Sequence, residues 1–540
     1  MIGDMTDALL SHMPPTRTHY DHVIIGSGHN GLIAACYLAA AGHSVLILEK
    51  NDYLGGATAS QRVFPDYEAY LSRYSYLIAL LSPKILADLQ ISFETRRRRI
   101  ASFTPYHDSD GNPKGLILSN EDPNVSRHSI IEMCGSARTW ENYQKLLALE
   151  NSIAALTWPT MLEPIRHRND FKHMLQNDLQ REAWESFIDR PLGEVIERYA
   201  EHDALRGLLL TDGKIGVFAS AHDESLLQNR CFLYHVIGNG TGEWRVPVGG
   251  MRALVDALVQ RCRQLGVEMQ INSAAFKIYP SAKHHSISYR SNGIERTIDA
   301  TRVLVNASPK NFANMLGQPF SPIPTDEGSC MKVNMLLRRL PKLKCNLPSQ
   351  DAFAGSFHID EGYQEMQTSY QQAFQGQIPD RPPAEIYCHT LTDDSILSPE
   401  LKQQGYHTLT LFGLDVPYRL FTANPEQVKE TIKQRYIEAL DRLCAEPFTD
   451  CLAVDKKGNP CIEVKSPIDL ENDVSLDLGN IFHNTLSWFF TDDPETVGKW
   501  GVETEYPRIY LSGSSALRGG AVSGIPGHNA ARCIFDELKI

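Results

Sequence analysis

The sequence predicts an α/β fold in which a parallel-sheet domain, assembled from separated stretches of chain, joins a second domain of mixed sheet plus helices. Three observations predict it. Between His22 and Glu49 a strand, a glycine-rich turn, a helix and a second strand follow one another. Helical periodicity then dominates residues 136–235, and a second glycine-rich turn leads into a terminal helix after Arg508–Leu511. Strands that alternate with helices through a glycine turn imply a parallel sheet covered by helices.

In the first unit, Val23, Ile24 and Ile25 form a continuous apolar run, the mark of a strand buried on both faces. Gly26, Gly28 and Gly31 follow at G-x-G-x-x-G spacing, and Leu32 to Ala41 favours helix, closed by Gly42. Ser44 to Leu48 is a second buried strand ending on Glu49, 18 positions after Gly31. Gly26 permits the tight turn, Gly28 admits a pyrophosphate against the backbone, and Gly31 lets the helix pack on the sheet. The unpaired N–H groups of the helix start carry roughly half a positive charge, which suits a diphosphate. Glu49 stands where a carboxylate accepts hydrogen bonds from a ribose. The unit is of the dinucleotide-binding kind.

Farther along, Ser72 to Pro83 is too apolar for a surface loop, and packs in a core or lines an apolar cavity. Arg96 to Arg99 is a basic run, read as a solvated edge or a contact to lipid phosphate. Residues 136–235 carry apolar positions at helical spacing through Trp140 to Leu156 and Trp184 to Tyr199, punctuated by Pro159, Pro164 and Pro191. Gly249-Gly250 turn the chain into a helix from Met251 to Leu265, and Glu268 to Ile271 resumes a strand. Ser286–Arg290 and Ile294–Ile298 alternate around the hairpin signal Asn292-Gly293. Strands are expected at Arg302–Asn306, Met331–Leu337, Ser356–Ile359, Glu385–Leu391 and Thr408–Phe412. A helix over Asn424–Cys444 opens with Gln427 at capping-box distance. Glycines 513, 519, 520, 524 and 527 then precede a helix starting near Pro526.

Composition narrows the classes. The 540 residues suffice for two or more cores, and 42% hydrophobic content is that of a globular protein. Fifty-two basic against 65 acidic residues leave −13, which argues against nucleic acid as a partner. No apolar run reaches the roughly 18 residues that span a bilayer. The lead-in through Tyr20, with Asp4 and Asp7, has neither a secretory nor a mitochondrial pattern, so the expected location is cytoplasmic, with peripheral membrane contact left open. Eleven dispersed cysteines without C-x-x-C suit a reducing compartment and exclude a redox dithiol. His284-His285 reads as a solvated pair in a polar strand rather than a metal site.

Glu49 is followed after five residues by Gly55-Gly56 and then Ala57-Thr58. This arrangement resembles the FAD signature of glutathione-reductase-like flavoproteins, and favours FAD over NAD. Together with VPVGGMRALVDAL and YLSGSSALRGGAVSGIPGHNAAR, it resembles the phytoene-desaturase-like FAD oxidoreductases. GNIFHNTL and SRYSYL are similar to the subgroup called pyridine nucleotide-disulphide oxidoreductase domain-containing proteins. The resemblance implies a Rossmann-like, discontinuous FAD-binding domain in parts 20–105, 241–315 and 466–540. A helical cap over 106–240 and a mixed sheet over 316–465 would form the substrate domain, and 1–19 a flexible lead-in.

The resemblance further implies cofactor contacts at Gly26, Gly28, Asn30, Gly31, Glu49, Lys50, Gly55, Gly56, Ala57, Thr58 and Ala275, and at Gly513, Gly520, Val522 and Gly524. Lys332 sits in a strand similar to one that carries a flavin-adjacent lysine, the alternative being a lysine reaching solvent. His483 is a candidate acid or base, or a core histidine; Tyr74 and Trp488 are candidate cavity residues. Leu517-Arg518 replaces the family's His-Pro, so Arg518 would bring charge to the flavin or its entrance. The implied reaction moves hydride from a lipophilic, unsaturated molecule to flavin N5, with oxygen or a quinone reoxidising the flavin. A flavin amine oxidase and a non-catalytic flavin-binding scaffold are the alternatives, and the oligomeric state is open.

Overall fold

The computed structural model describes residues 14–540, so residues 1–13 of the expected lead-in lie outside the described residues. Two seven-stranded sheets organise the chain. In the first, the apolar runs pair as parallel strands in the order Glu268–Gln270, Val45–Leu48, His19–Ile25 and Ile294–Val305, with Ile509–Leu511 beyond. Val23, Ile24 and Leu46 are fully buried because helices cover the sheet. Each such side chain contributes about 1.5–3 kcal/mol relative to exposure. Helices His29–Ala40, Arg252–Gln264 and Ile525–Leu538 pack on one face. An antiparallel hairpin, Ser273–Tyr279 with His285–Ser291, extends the sheet on the other side of Ile294–Val305.

The two strands expected at Ile294–Ile298 and Arg302–Asn306 are one strand, Ile294–Val305. Its first half closes the hairpin turn at Asn292 (φ 49°) and Gly293 (φ 80°), and its second half runs parallel to His19–Ile25. No breaker separates the halves, so the ladder continues through Asp299 and Ala300. His285 is also corrected. It is buried at 1% exposure and accepts at Nδ1 from the Ser281 N–H, because its position in the alternation points inward.

The second sheet runs Ile462–Lys465, Met331–Leu337, His407–Gly413, Ala384–Tyr387, Ser356–Ile359, Ile100–His107 and Pro113–Ser119. It is antiparallel except where Ser356–Ile359 meets Ile100–His107. The strand expected to reach Leu391 stops at Tyr387 and turns through His389–Leu391. Helix Pro425–Leu443 packs on this sheet through Val428, Ile432, Tyr436 and Leu440. Its expected capping box is absent: Asn424 makes no side-chain cap bond, and Pro425 at the first turn serves the start instead. Residues 136–235 are mainly helical, with Ala137–Thr157 the longest helix, and the segment Trp184 to Tyr199 broken at Pro191. Their apolar faces meet Cys330, Phe412 and Leu414 at the ends of the interior strands Met331–Leu337 and His407–Gly413, which closes a chamber between the helices and that sheet.

Candidate functional site

A cavity of about 760 Å³ begins at the first glycine turn and extends beneath the second sheet to the helical region. At its near end Gly26 has φ +96°, and a Cβ there would lie 2.4 Å from the Asn306 carbonyl oxygen. A Cβ on Gly31 would stand 2.6 Å from the Gly26 oxygen, so Gly31 sets helix-to-strand packing and stays behind the cavity wall. Asn306, at the end of the shared strand, ties the turn together. Its Nδ2 donates to the carbonyls of Gly26 (3.1 Å) and Gly28 (3.2 Å).

Glu49 is 5% exposed. Its Oε2 accepts from the Ser27 N–H (2.9 Å) and hydroxyl (2.7 Å), and its Oε1 from the Asn51 N–H (2.9 Å). Three donors fix this carboxylate at the cavity wall. Gly55 bridges to Gly28, and Gly56, Ala57 and Thr58 form a short turn along the same wall. Asn30, Lys50 and Ala275 also line it. The Lys50 ammonium donates to the Ser475 hydroxyl at 2.6 Å. His29 shares a 3.0 Å hydrogen bond with Thr58, and burial lowers its imidazole to about 4.

The C-terminal turn contributes Gly513, Ser514, Ala521 and Val522 to the wall. Gly520 and Gly524 do not reach it. Gly520 backs onto Phe482, and Gly524, at φ +74°, caps helix Ile525–Leu538. Arg518 is likewise corrected. At 1% exposure it points away from the cavity and donates to the carbonyls of Thr160 (3.0 Å), Glu163 (2.8 Å) and Trp500 (3.1 Å). Its left-handed backbone (φ +59°) turns the side chain to those carbonyls, so it brings no charge to the cofactor region.

Past the turn, Lys332 lines the cavity at 1% exposure, which overturns a lysine reaching solvent. Its Nζ donates to the Tyr74 carbonyl at 3.1 Å and lies 4.0 Å from the Tyr76 ring centroid. Burial holds its pKa well below the ordinary lysine range. Tyr74 lines the cavity and donates to Asp473 at 2.9 Å. His483 lines it at φ +69°, with Nδ1 unpartnered, and burial lowers it to about 4. Trp488 is corrected: it stacks on Phe490 at 5.5 Å beneath Arg230, within the helical core and off the cavity wall.

The deep end holds residues that no motif announces. Arg98, from the basic run, is buried, donates from Nη1 to the Ser356 hydroxyl (3.1 Å), and covers the Tyr387 ring. Around it stand Glu385, Asp212 and Glu150, with Glu361 behind, bonded to Thr211 at 2.5 Å. Burial, reinforced by Asp212, raises Glu150 and Glu385 to about 8; burial also raises Asp212, and raises Glu361 well above the carboxylate range. The other three arginines pair with Asp393 (3.6 Å), Glu243 (3.1 Å) and Asp351 (2.6 Å). Arg96, Arg97 and Arg99 stay about half exposed, the solvated edge the run suggested, while Arg98 turns inward. Only the alternation that puts Arg98 two positions before the apolar Ile100 could have hinted at burial.

The near end fits a dinucleotide. A Cβ at Gly28 would sit 3.0 Å from Asn306 Nδ2, filling the cradle, and the buried His29 Nε2 and Asn30 Oδ1 have no protein partner. Among the described residues no helix is long and apolar enough to cross a membrane. A family model described as an NAD(P)-binding Rossmann-like domain matches residues 24–82. An uncharacterized protein of Mycobacterium tuberculosis is 39% identical, covering 96% of this chain and 97% of that protein. Pyridine nucleotide-disulfide oxidoreductase domain-containing protein 2 of Rattus norvegicus is 27% identical, covering 97% and 94%. Phytoene desaturase of Neurospora crassa is 24% identical over 72% of this chain and 65% of its own. Among solved structures, a single-site mutant of putrescine oxidase shares the fold with a TM-score of 0.55 at 15% identity, covering 96% and 99%.

Proposed function

The chain belongs to the phytoene-desaturase-like family of FAD-dependent oxidoreductases, in the subgroup of pyridine nucleotide-disulfide oxidoreductase domain-containing proteins, and from that premise we propose a dehydrogenase acting on a lipophilic, unsaturated molecule. FAD, when bound, supplies the hydride acceptor, which oxygen or a quinone restores. The observation that carries the reading is one cavity, continuous from the glycine cradle to a wall of Tyr76, Tyr387 and Phe412.

The chain's own residues divide the work. Gly26, Gly28 and the N–H groups opening helix His29–Ala40 take the diphosphate, and Glu49, fixed by its three donors, takes the ribose. Gly55 to Thr58, Ala275, Gly513 and Val522 shape the rest of the cofactor's bed. Gly31, Gly520 and Gly524 hold the turns in place from behind. The aromatic wall excludes water and aligns an extended chain. Lys332, whose pKa burial lowers, and His483, lowered to about 4 with Nδ1 unpartnered, are the groups placed to exchange a proton there.

Purified protein tests this. It should retain FAD, and its flavin absorbance should bleach anaerobically on adding polyene donors. Protein that stays colourless with FAD supplied would falsify the cofactor assignment. Bleaching by primary amines alone would turn the reading to an amine oxidase, and no bleaching by either class would leave a flavin-binding scaffold.

A further inference from the structure

The deep end of the cavity is richer in carboxyl groups than a hydrocarbon substrate requires. Glu150 comes from helix Ala137–Thr157, Asp212 from the end of helix Asp203–Thr211, and Glu385 from strand Ala384–Tyr387. All three line the cavity, and Glu361 adds a fourth carboxyl immediately behind. One guanidinium, Arg98, faces them, together with His235 and His358, which burial keeps largely neutral. Lys332, bonded to the Tyr74 carbonyl, lies over the Tyr76 ring at 4.0 Å, and burial lowers its pKa well below the ordinary lysine range. Arg98 can balance one carboxylate; burial favours the neutral form of the others, and a cation entering among them would favour their ionised form.

Hydrogen bonding tells the same story independently. Glu385 is 3% exposed, and its Oε1 has no partner. Buried carboxyl oxygens are normally satisfied, so an unsatisfied one in a cavity wall marks a place where a ligand group donates. Aromatic rings stand beside the carboxyls: Tyr76 and Tyr387 lie 4.5 Å apart between tilted rings, with Lys332 over the first and Arg98 over the second, and Tyr143 lines the same space. Carboxylates and aromatic faces together form the usual bed of an organic ammonium group.

We propose that this end of the cavity binds the cationic head of an organic ammonium compound, seated among Asp212, Glu150 and Glu385 beside the ring of Tyr143. The inference rests on reading the cavity as the substrate site of an FAD enzyme, and it adds the polar end of that substrate. A carboxylate head would face three carboxyls for one guanidinium, and a hydrocarbon end would leave Glu385 Oε1 unpaired.

Titration calorimetry of the FAD-loaded protein with octyltrimethylammonium, octanol and octanoate tests this, with FAD content measured on every sample. The ammonium should bind roughly tenfold or more tighter than the alcohol, with octanoate weakest. Asp212→Asn should weaken the ammonium roughly tenfold while moving the alcohol by less than about twofold. Glu150→Gln, on a different element, should act in the same direction, so misfolding of one variant leaves the other decisive. Equal binding of the three probes, or octanoate binding tightest, would overturn the proposal. Protein that binds the ammonium selectively but never retains FAD would keep this site and sink the flavin reading.

Discussion

Asn306 shows how much one side chain can organise. Its amide bonds two carbonyls of the glycine turn, and its own backbone N–H pairs with Ile25. Replacing it by alanine removes the donor to the Gly26 carbonyl, while Gly28 keeps the Leu32 N–H, a cost of about 1–2 kcal/mol. Asn306→Ala should therefore weaken FAD binding several-fold, read by fluorescence titration, and Asn306→Asp, similar in shape without the donor, should not rescue it. The glycines of that turn were legible in the sequence because their spacing is local. Asn306 was not, because its role depends on a strand some 280 residues away. The same holds for Trp488 and Arg518, whose neighbours in sequence said nothing about which way their side chains would face.

The two helices nearest the cofactor end cross closely. A Cβ on Gly527 would stand 2.1 Å from the Asn30 carbonyl oxygen, so helix Ile525–Leu538 sits against the start of helix His29–Ala40 only because that residue lacks a side chain. Gly527→Ala should force them apart at a cost of about 1–3 kcal/mol, lowering the melting temperature and the FAD content together. Arg518 fixes the loop before the same helix to three carbonyls. Arg518→Ala should lower stability by about 2–3 kcal/mol, measured by urea unfolding, since the Glu163 and Trp500 carbonyls lose their donor while Thr160 keeps the Glu163 N–H. Both elements were expected from the sequence, helix and turn alike. Their mutual approach was not, since periodicity gives a face and no partner.

Across the molecule, buried ionisable groups set opposing pH limits. Burial lowers His22 to about 3, and His29 and His483 to about 4. Unfolded histidines take up protons near 6.5, so this contribution is complete above that pH and is lost as pH falls toward 4. Glu150 is raised from 4.5 to about 8, so its contribution is complete below 4.5 and is lost as pH rises through 8. Glu150→Gln should raise the melting temperature of the ligand-free protein progressively from pH 5 to pH 9, whereas His22→Leu should help most at pH 5. The fold class was readable from the two glycine turns and the strands beside them. The acidic chamber was not, because its residues come from five stretches that meet only when the helices close over the second sheet.

The strand Ile294–Val305 has a consequence for biosynthesis. It lies at the centre of the first sheet, between His19–Ile25 and Ile509–Leu511. The last of these leaves the ribosome long after its partner, and contacts so distant in sequence form slowly. A nascent chain can assemble its amino-terminal half early, but it stays without one flank until that late strand emerges. Insertion of the prosthetic group is thereby postponed to the same moment, and a chain cut short before it would carry a partly built sheet with exposed edges for quality control to recognise.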